Sequence, residues 1–269
     1  MEVVEGLYCL DAGQGVNVYL WRPADSRDDG APLLFDCGWP WSGRRLVAGL
    51  AGLDVRPGQI RAIAVTHDDF DHSGRLVPLQ AVSGAQIIAH EAEVSRLSSD
   101  TWRSLPQNGR SSAFARGIAK ALYAPWPRHG VRVSRPVQDG AELPGGWVVV
   151  HTPGHTPGHA SYFHPRLGVA IVGDALGSPR SSALSVGRRP AARDAAQSSA
   201  EPDGVLRPPA RIYAEDWEEA VRSVCKLAEL SPAVLCVGHG PVVRNAEERL
   251  RRLAATLQSL SGKDVLKSP

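Results

Sequence analysis

The chain has few lysines, no C-x-x-C pair, no excess of charge of one sign and no long apolar run. The last three absences each close a class of function. Of its 30 basic residues only Lys120, Lys226, Lys263 and Lys267 are lysine, and 28 acidic residues bring the formal net charge to +2. A balance this close excludes a protein built around nucleic acid or an anionic membrane surface. The four cysteines, Cys9, Cys37, Cys225 and Cys236, stand singly in apolar stretches. They read as buried free thiols in a reducing compartment, not as a disulfide framework. No apolar run approaches the ~20 residues of a spanning helix. The opening residues carry neither the basic nor the apolar region of a secretory leader, so a cytoplasmic protein is expected. No G-x-S-x-G, P-loop or dinucleotide fingerprint occurs. What remains, 43% hydrophobic and 22% charged over 269 residues, is the composition of a folded globular chain. It is read as one domain over 1–269.

Several short apolar segments read as buried strands, and a His or Asp follows most of them at once. Residues 60–65 run into Thr66-His67, 85–89 into His90, and 147–150 into His151. Residues 169–172 run into Gly173-Asp174, and 234–237 into Gly238-His239. Segments 16–21 and 32–36 are further strands, the second ending at Asp36. Helices are expected over 42–53 with Ser42 as N-cap, from Asp216 as N-cap, and over about 246–260. Residues 178–210, rich in Ser, Ala, Pro, Gly and Arg, read as a long loop near the active site. In α/β folds ligand sites lie outside the carboxyl ends of strands, so this repeated pattern predicts one shared site.

The richest segment is Thr66-His67-Asp68-Asp69-Phe70-Asp71-His72-Ser73-Gly74, in which two imidazoles interleave with three carboxylates. Such donors on one turn are what a divalent cation needs, because several must converge within about 2.0–2.2 Å of it. The second segment is His151-Thr-Pro-Gly-His155-Thr-Pro-Gly-His159, where each Pro-Gly fixes a tight turn before a His. Gly173-Asp174 and Gly238-His239-Gly240-Pro241 complete the set. In this order, each after a strand, the four segments point to a metal centre.

At these residues the chain resembles the metallo-β-lactamase superfamily of metallo-hydrolases. The family's H-x-H-x-D-H motif stands here as His67-Asp68-Asp69-Phe70-Asp71-His72. Its Pro-Gly-His turn stands as Pro153-Gly154-His155, its bridging aspartate as Asp174 and its last histidine as His239. The resemblance implies an α/β fold, a four-layer αββα sandwich with a two-metal site at one edge. It further implies that His67, Asp69 and His155 hold one ion, that Asp71, His72 and His239 hold the other, and that Asp174 bridges them. Asp71 is the implied catalytic carboxylate. The departure is Asp69, where the family has His. A carboxylate hardens the site, so iron or manganese joins zinc as a candidate for the two divalent cations.

Around this set, His159 and Asp36 are read as groups that orient a ligand, and Trp39, with Trp41, as an apolar wall for the substrate. His90 and His151 are read as structural histidines near the site, and His129 and His164 as loop or surface residues. Arg180, Arg188, Arg189 and Arg193 are read as a solvated part of the long loop. The expected function is hydrolysis of a small-molecule ester, thioester, lactone or related bond, with no nucleic acid or membrane partner and with a homodimer left open. The alternative is a mononuclear non-haem iron oxidoreductase like the persulfide dioxygenases of the superfamily. A third, weaker reading is a non-catalytic binding protein.

Overall fold

Strand β3 (Val16–Trp21) shows how the layers arise. All six of its residues are buried. Val16, Val18 and Leu20 enter one apolar core, while Tyr19 and Trp21 enter another. A strand with both faces buried belongs to an inner layer. The alternation recurs in β4 (Leu33–Phe35), β5 (Ala62–Ala64) and β6 (Gln86–His90). There Leu34, Ile63 and Ile87 join the first core, and Phe35, Ala64 and Ile88 the second. In β11 (Val169–Gly173) and β12 (Val234–Val237), Val169, Ile171, Val234 and Cys236 also enter the second core. Their neighbours Ala170, Val172, Leu235 and Val237 build a third. The second core therefore lies between two sheets, and each outer core lies between a sheet and its helices. The architecture is an αββα sandwich.

The computed structural model describes residues 1–22, 31–102, 117, 130–178 and 206–265. The remaining strands are β1 (Glu2–Val4), β2 (Leu7–Gly13), β7 (Arg135–Val137), β8 (Glu142–Leu143), β9 (Trp147–His151), β10 (Ala160–His164) and β13 (Val243–Arg244). Among the described residues, β1 to β7 form a seven-stranded sheet in chain order, and the six-stranded sheet runs β13-β12-β11-β10-β9-β8. Helices α1 (Gly43–Ala51), α2 (Leu76–Ser83) and α3 (Val94–Leu97) cover the first sheet through Leu46, Leu50, Leu76, Leu79 and Leu97. Helices α4 (Trp217–Glu229) and α5 (Ala246–Val265) cover the second through Val224, Leu227, Leu250 and Leu257. Among the described residues no helix is long and apolar enough to cross a membrane.

Strands β4 to β7 pair in parallel, as do β11 and β12. Parallel strands bring their carboxyl ends to one edge, so Asp36, His67 and His90 leave the first sheet on the same side. Asp174 and His239 leave the second in the same way. The sheets are tied there by Asn17, whose Nδ2 donates to Gly240 O at 2.6 Å and Val237 O at 3.0 Å.

Some local expectations are corrected. Helix α1 spans Gly43–Ala51 with Ser42 at its N-cap position, but the Ser42 side chain makes no capping bond: its hydroxyl donates to Trp39 O at 2.8 Å. Asp216 does cap α4, accepting from Glu219 N at 2.9 Å. His164 is buried against Trp21 and Trp147. It shares a face of β10 with Ala160 and Tyr162, so the period of two carries it into the core. Cys9 and Cys225 are only half-buried, whereas Cys37 and Cys236 are fully buried. Most of the long loop, 179–205, lies outside the described residues, as do His129, Arg180, Arg188, Arg189 and Arg193. Its flanks meet beside Asp174, where Gly177 and Arg207 exchange both backbone hydrogen bonds at 3.1 and 2.8 Å.

Candidate metal centre

Asp36, just past β4, organises one side of the site. Its backbone is left-handed (φ 59°), a conformation Asp tolerates better than most residues. Its carboxylate is buried. Oδ1 accepts from Thr66 N at 2.8 Å, and Oδ2 accepts from Thr66 Oγ1 at 2.8 Å and faces His72 Nδ1 at 2.8 Å. A carboxylate can only accept, so His72 carries its proton on Nδ1 and turns Nε2 toward the cluster. Thr66 has spent its one hydroxyl proton on Asp36. The 2.9 Å contact between Thr66 Oγ1 and His67 Nδ1 therefore needs His67 to donate. His67 Nε2 is left with its lone pair.

Three groups of donors converge at the shared edge: His67, Asp69 and His155; His67, His72 and Asp174; Asp71, His72 and His239. Within each, the ligand atoms lie within 4.8 Å of one another. Asp69 Oδ2 is 2.9 Å from His155 Nε2 and 3.5 Å from His67 Nε2. His239 Nε2 is 3.2 Å from Asp71 Oδ2 and 3.3 Å from His72 Nε2. Asp174 reaches both sides: Oδ1 lies 3.3 Å from Nε2 of His72 and of His239, and Oδ2 lies 3.9 Å from His155 Nε2. His239, 39% exposed, and the three aspartates, each about a fifth exposed, are the wet side, while His67 and His72 are fully buried.

These residues fit a divalent cation. His67 Nε2 is buried and has no hydrogen-bond partner among the described residues, although it faces carboxylates. Gly238 keeps the space clear, since a Cβ there would lie 2.6 Å from both Asp174 Oδ1 and His72 Cε1. Burial opposes charge on Asp71, His72, Asp174 and His239, yet their mutual attraction overrides it. Against that burial, His239 and His72 hold the Asp174 carboxyl well below its usual range, and His72 and His239 lower Asp71 in the same way. In return Asp174 and Asp71 hold His72 well above the ordinary imidazole value and raise His239 to about 10. Burial and the neighbouring His72 push His67 down, favouring its neutral, ligand-competent form. Protons on His72 and His239 stand where a cation would bind, and cation binding must release them.

His159 lies against this cluster without joining any of the three groups. Its Nε2 accepts from Asp174 N at 3.2 Å, and its Nδ1 meets Thr152 Oγ1 at 2.9 Å. The ring thus holds the Asp174 backbone. Trp39 stands outside the donor cluster: its indole donates to Gly13 O at 3.2 Å and stacks on Trp41. His90 and His151 stack on each other, with centroids 3.7 Å apart. Burial and then His151 lower His90 to about 4.

Sequence reasoning missed Glu93. This carboxylate is 1% exposed and bridges the two donor-bearing loops. It accepts from Asp68 N at 3.0 Å on one side and from Thr156 Oγ1 at 3.1 Å and Gly158 N at 2.9 Å on the other. In the sequence it is only the second Glu of His90-Glu91-Ala92-Glu93, which a solvated acidic turn explains equally well. Glu93→Ala strands three buried donors, at about 1–3 kcal/mol each. The variant is expected to lose about 3 kcal/mol or more in denaturant unfolding. Burial, then Asp68, raises the Glu93 carboxyl to about 8 from an ordinary 4.5. Between those values the folded chain keeps a proton that the unfolded chain releases, so this stabilising contribution fades as pH rises through the window. Glu93→Gln should therefore lose less Tm than the parent between about pH 5 and pH 8. An identical slope in both would contradict the assignment.

Comparison with known proteins adds independent findings. A sequence model of the metallo-beta-lactamase superfamily matches residues 12–239. The chain is 30% identical over 268 residues to the probable metallo-hydrolase YflN of Bacillus subtilis (strain 168), covering 96% of this chain and 94% of that protein. Its fold is similar to that of a mutant metallo-beta-lactamase from Cronobacter sakazakii, with a TM-score of 0.65 at 19% identity over 99% of this chain and 96% of that one. It is also similar to TTHA1623, solved in a di-iron-bound form, with a TM-score of 0.57 at 24% identity over 90% of this chain and 96% of that one.

Proposed function

The chain belongs to the metallo-beta-lactamase superfamily, and from that premise we propose that it is a metal-dependent hydrolase of a small ester, thioester, lactone or related bond. The observation that carries this is the convergence of seven donors in three overlapping groups at one sheet edge. In this reading His67, Asp69 and His155 hold one divalent ion, Asp71, His72 and His239 hold a second, and Asp174 serves both. When bound, such ions polarise the scissile bond and lower the pKa of a water toward ~7, supplying the nucleophile. Zinc suits the imidazoles. Asp69 makes iron or manganese acceptable, which the di-iron form of TTHA1623 supports.

The chain's own residues do the rest. Asp36 and Thr66 hold His72 and His67 in the tautomers that present Nε2. His159 holds Asp174 by its backbone. Asp71 is open to water on one side and faces His239 on the other, so it is assigned the proton of the attacking water. A small-molecule substrate, one catalytic domain and a cytoplasmic location belong to the same reading, with a homodimer compatible with it.

The test is a panel of esters, thioesters and lactones offered to protein loaded with zinc, iron or manganese. The parent should turn over at least one class. Asp71→Ala should lower kcat by about a hundredfold or more, because it removes both a proton acceptor and one donor to the second ion. Failure on every class with every metal would overturn the reading. A second reading draws on the composition of the groups, each being two His and one Asp, the donor set of mononuclear iron oxygenases. Oxygen uptake on glutathione persulfide by protein holding one iron would favour it.

A further inference from the structure

We propose that Trp39 and Trp41 form an aromatic ledge that receives a flat aryl group, so that the bond cleaved beside it belongs to an aryl or arylacyl ester or thioester. The proposal rests on the hydrolase reading for the bond and on the following geometry for the ledge.

The two indoles stack, with centroids 4.9 Å apart and planes 13° from parallel. Both rest on Phe70, at 5.9 and 5.4 Å. Phe70 is 4% exposed, stands between Asp69 and Asp71 in the chain, and is backed by Trp102 at 4.6 Å. The ledge is therefore built on the donor loop itself. The loop that carries it is fastened there. Gly38 bridges to Ser73, Cys37 N donates to His72 O at 2.8 Å, and Arg75 Nη1 donates to Pro40 O at 2.9 Å. Pro40 lies so close to Gly74 that a Cβ there would sit 2.4 Å from Pro40 Cδ. On its other flank Trp39 donates to Gly13 O at 3.2 Å, at the tip of the β2–β3 hairpin. The same tip pins the His239 loop, through a Val16–His239 bridge and a 3.1 Å bond from Gly240 N to Gly15 O. The stacked pair thus sits between the two segments that carry Asp69, Asp71 and His239.

Trp41 remains 40% exposed. An indole held rigidly, partly wet and beside a reactive centre suits a planar apolar group, which gains both area burial and ring stacking. A cation would also suit an indole face. However, Arg44 follows Trp41 closely in the chain and Arg75 reaches the same loop through Pro40 O at 2.9 Å, and their charge disfavours a cationic ligand. A neutral or anionic aryl group is the class that fits.

Titration calorimetry with 2-naphthoate tests the ledge without turnover. Trp41→Ala should bind it about tenfold more weakly, the scale of one aromatic contact, while Trp41→Phe stays within about threefold of the parent. Acetate, which has no ring, should bind all three alike. With phenyl acetate, Trp41→Ala should raise KM about tenfold at little change in kcat, and with ethyl acetate neither should move. Equal naphthoate affinity in parent and Trp41→Ala would overturn the ledge. Loss of naphthoate binding in Trp41→Ala with no ester turned over by the parent would uphold the ledge and remove the hydrolase reading.

Discussion

Asp174→Ala is expected to empty both cation positions at once. Among the described residues Asp174 is the carboxylate that lies against both sides of the cluster, with Oδ1 3.3 Å from His72 and His239 and Oδ2 3.9 Å from His155. It also supplies the leading charge that sustains raised pKa values at His72 and His239. Without it, two imidazoles face each other 3.3 Å apart with a diminished counter-charge. Loss of an outer partner of a metal ligand typically costs 10–100-fold in affinity or activity, and loss of a shared donor should exceed that range for both ions. Metal analysis and turnover on the same preparation check it. A variant that keeps one ion at parental affinity would show that Asp174 serves only one side.

The second large effect is expected from a residue that touches no cation in this account. Asp36→Asn keeps a residue that tolerates the left-handed backbone but removes one acceptor oxygen. Three donors, Thr66 N, Thr66 Oγ1 and His72 Nδ1, converge on that carboxylate, and an amide cannot accept from all three. His72 is then free to move its proton to Nε2, closing the lone pair that a cation needs. Thr66, once released, no longer sets the tautomer of His67. The expected result is a 10–100-fold loss of metal affinity with about 1–3 kcal/mol of lost stability. A competitive metal titration reads the first and denaturant unfolding the second. Unchanged affinity would mean that the Asp36 hub is structural only.

The buried strands were legible from their apolar runs, while the αββα layering was expected only from the family resemblance; in the structure the inner strands alternate between two apolar cores. In β3, β11 and β12 the polar side-chain groups that tie the sheets are those of Asn17 and Tyr19, both through Val237 O. The donors were legible because an apolar strand that ends in His or Asp has no structural need of either. The supports were not. Glu93 is buried only because three donors from two distant loops close on it, and nothing in His90-Glu91-Ala92-Glu93 separates it from a surface acid. His164 lies on the inward face of β10, but as the last residue of that strand it reads as the start of a turn. Ser42 precedes a helix as a cap would, yet its hydroxyl serves the Trp39 turn. In each case the deciding partner is far away in sequence or belongs to the backbone of a loop.

The proposed hydrolase depends on a two-cation centre built from these seven donors. Its most direct test is the metal content, by mass spectrometry, of the chain purified without added metal and then equilibrated with zinc, iron or manganese. About two tightly held ions per chain are expected in the parent, and a loss of both in Asp174→Ala. One ion or none in the parent under every metal, or a full complement retained without Asp174, would contradict it.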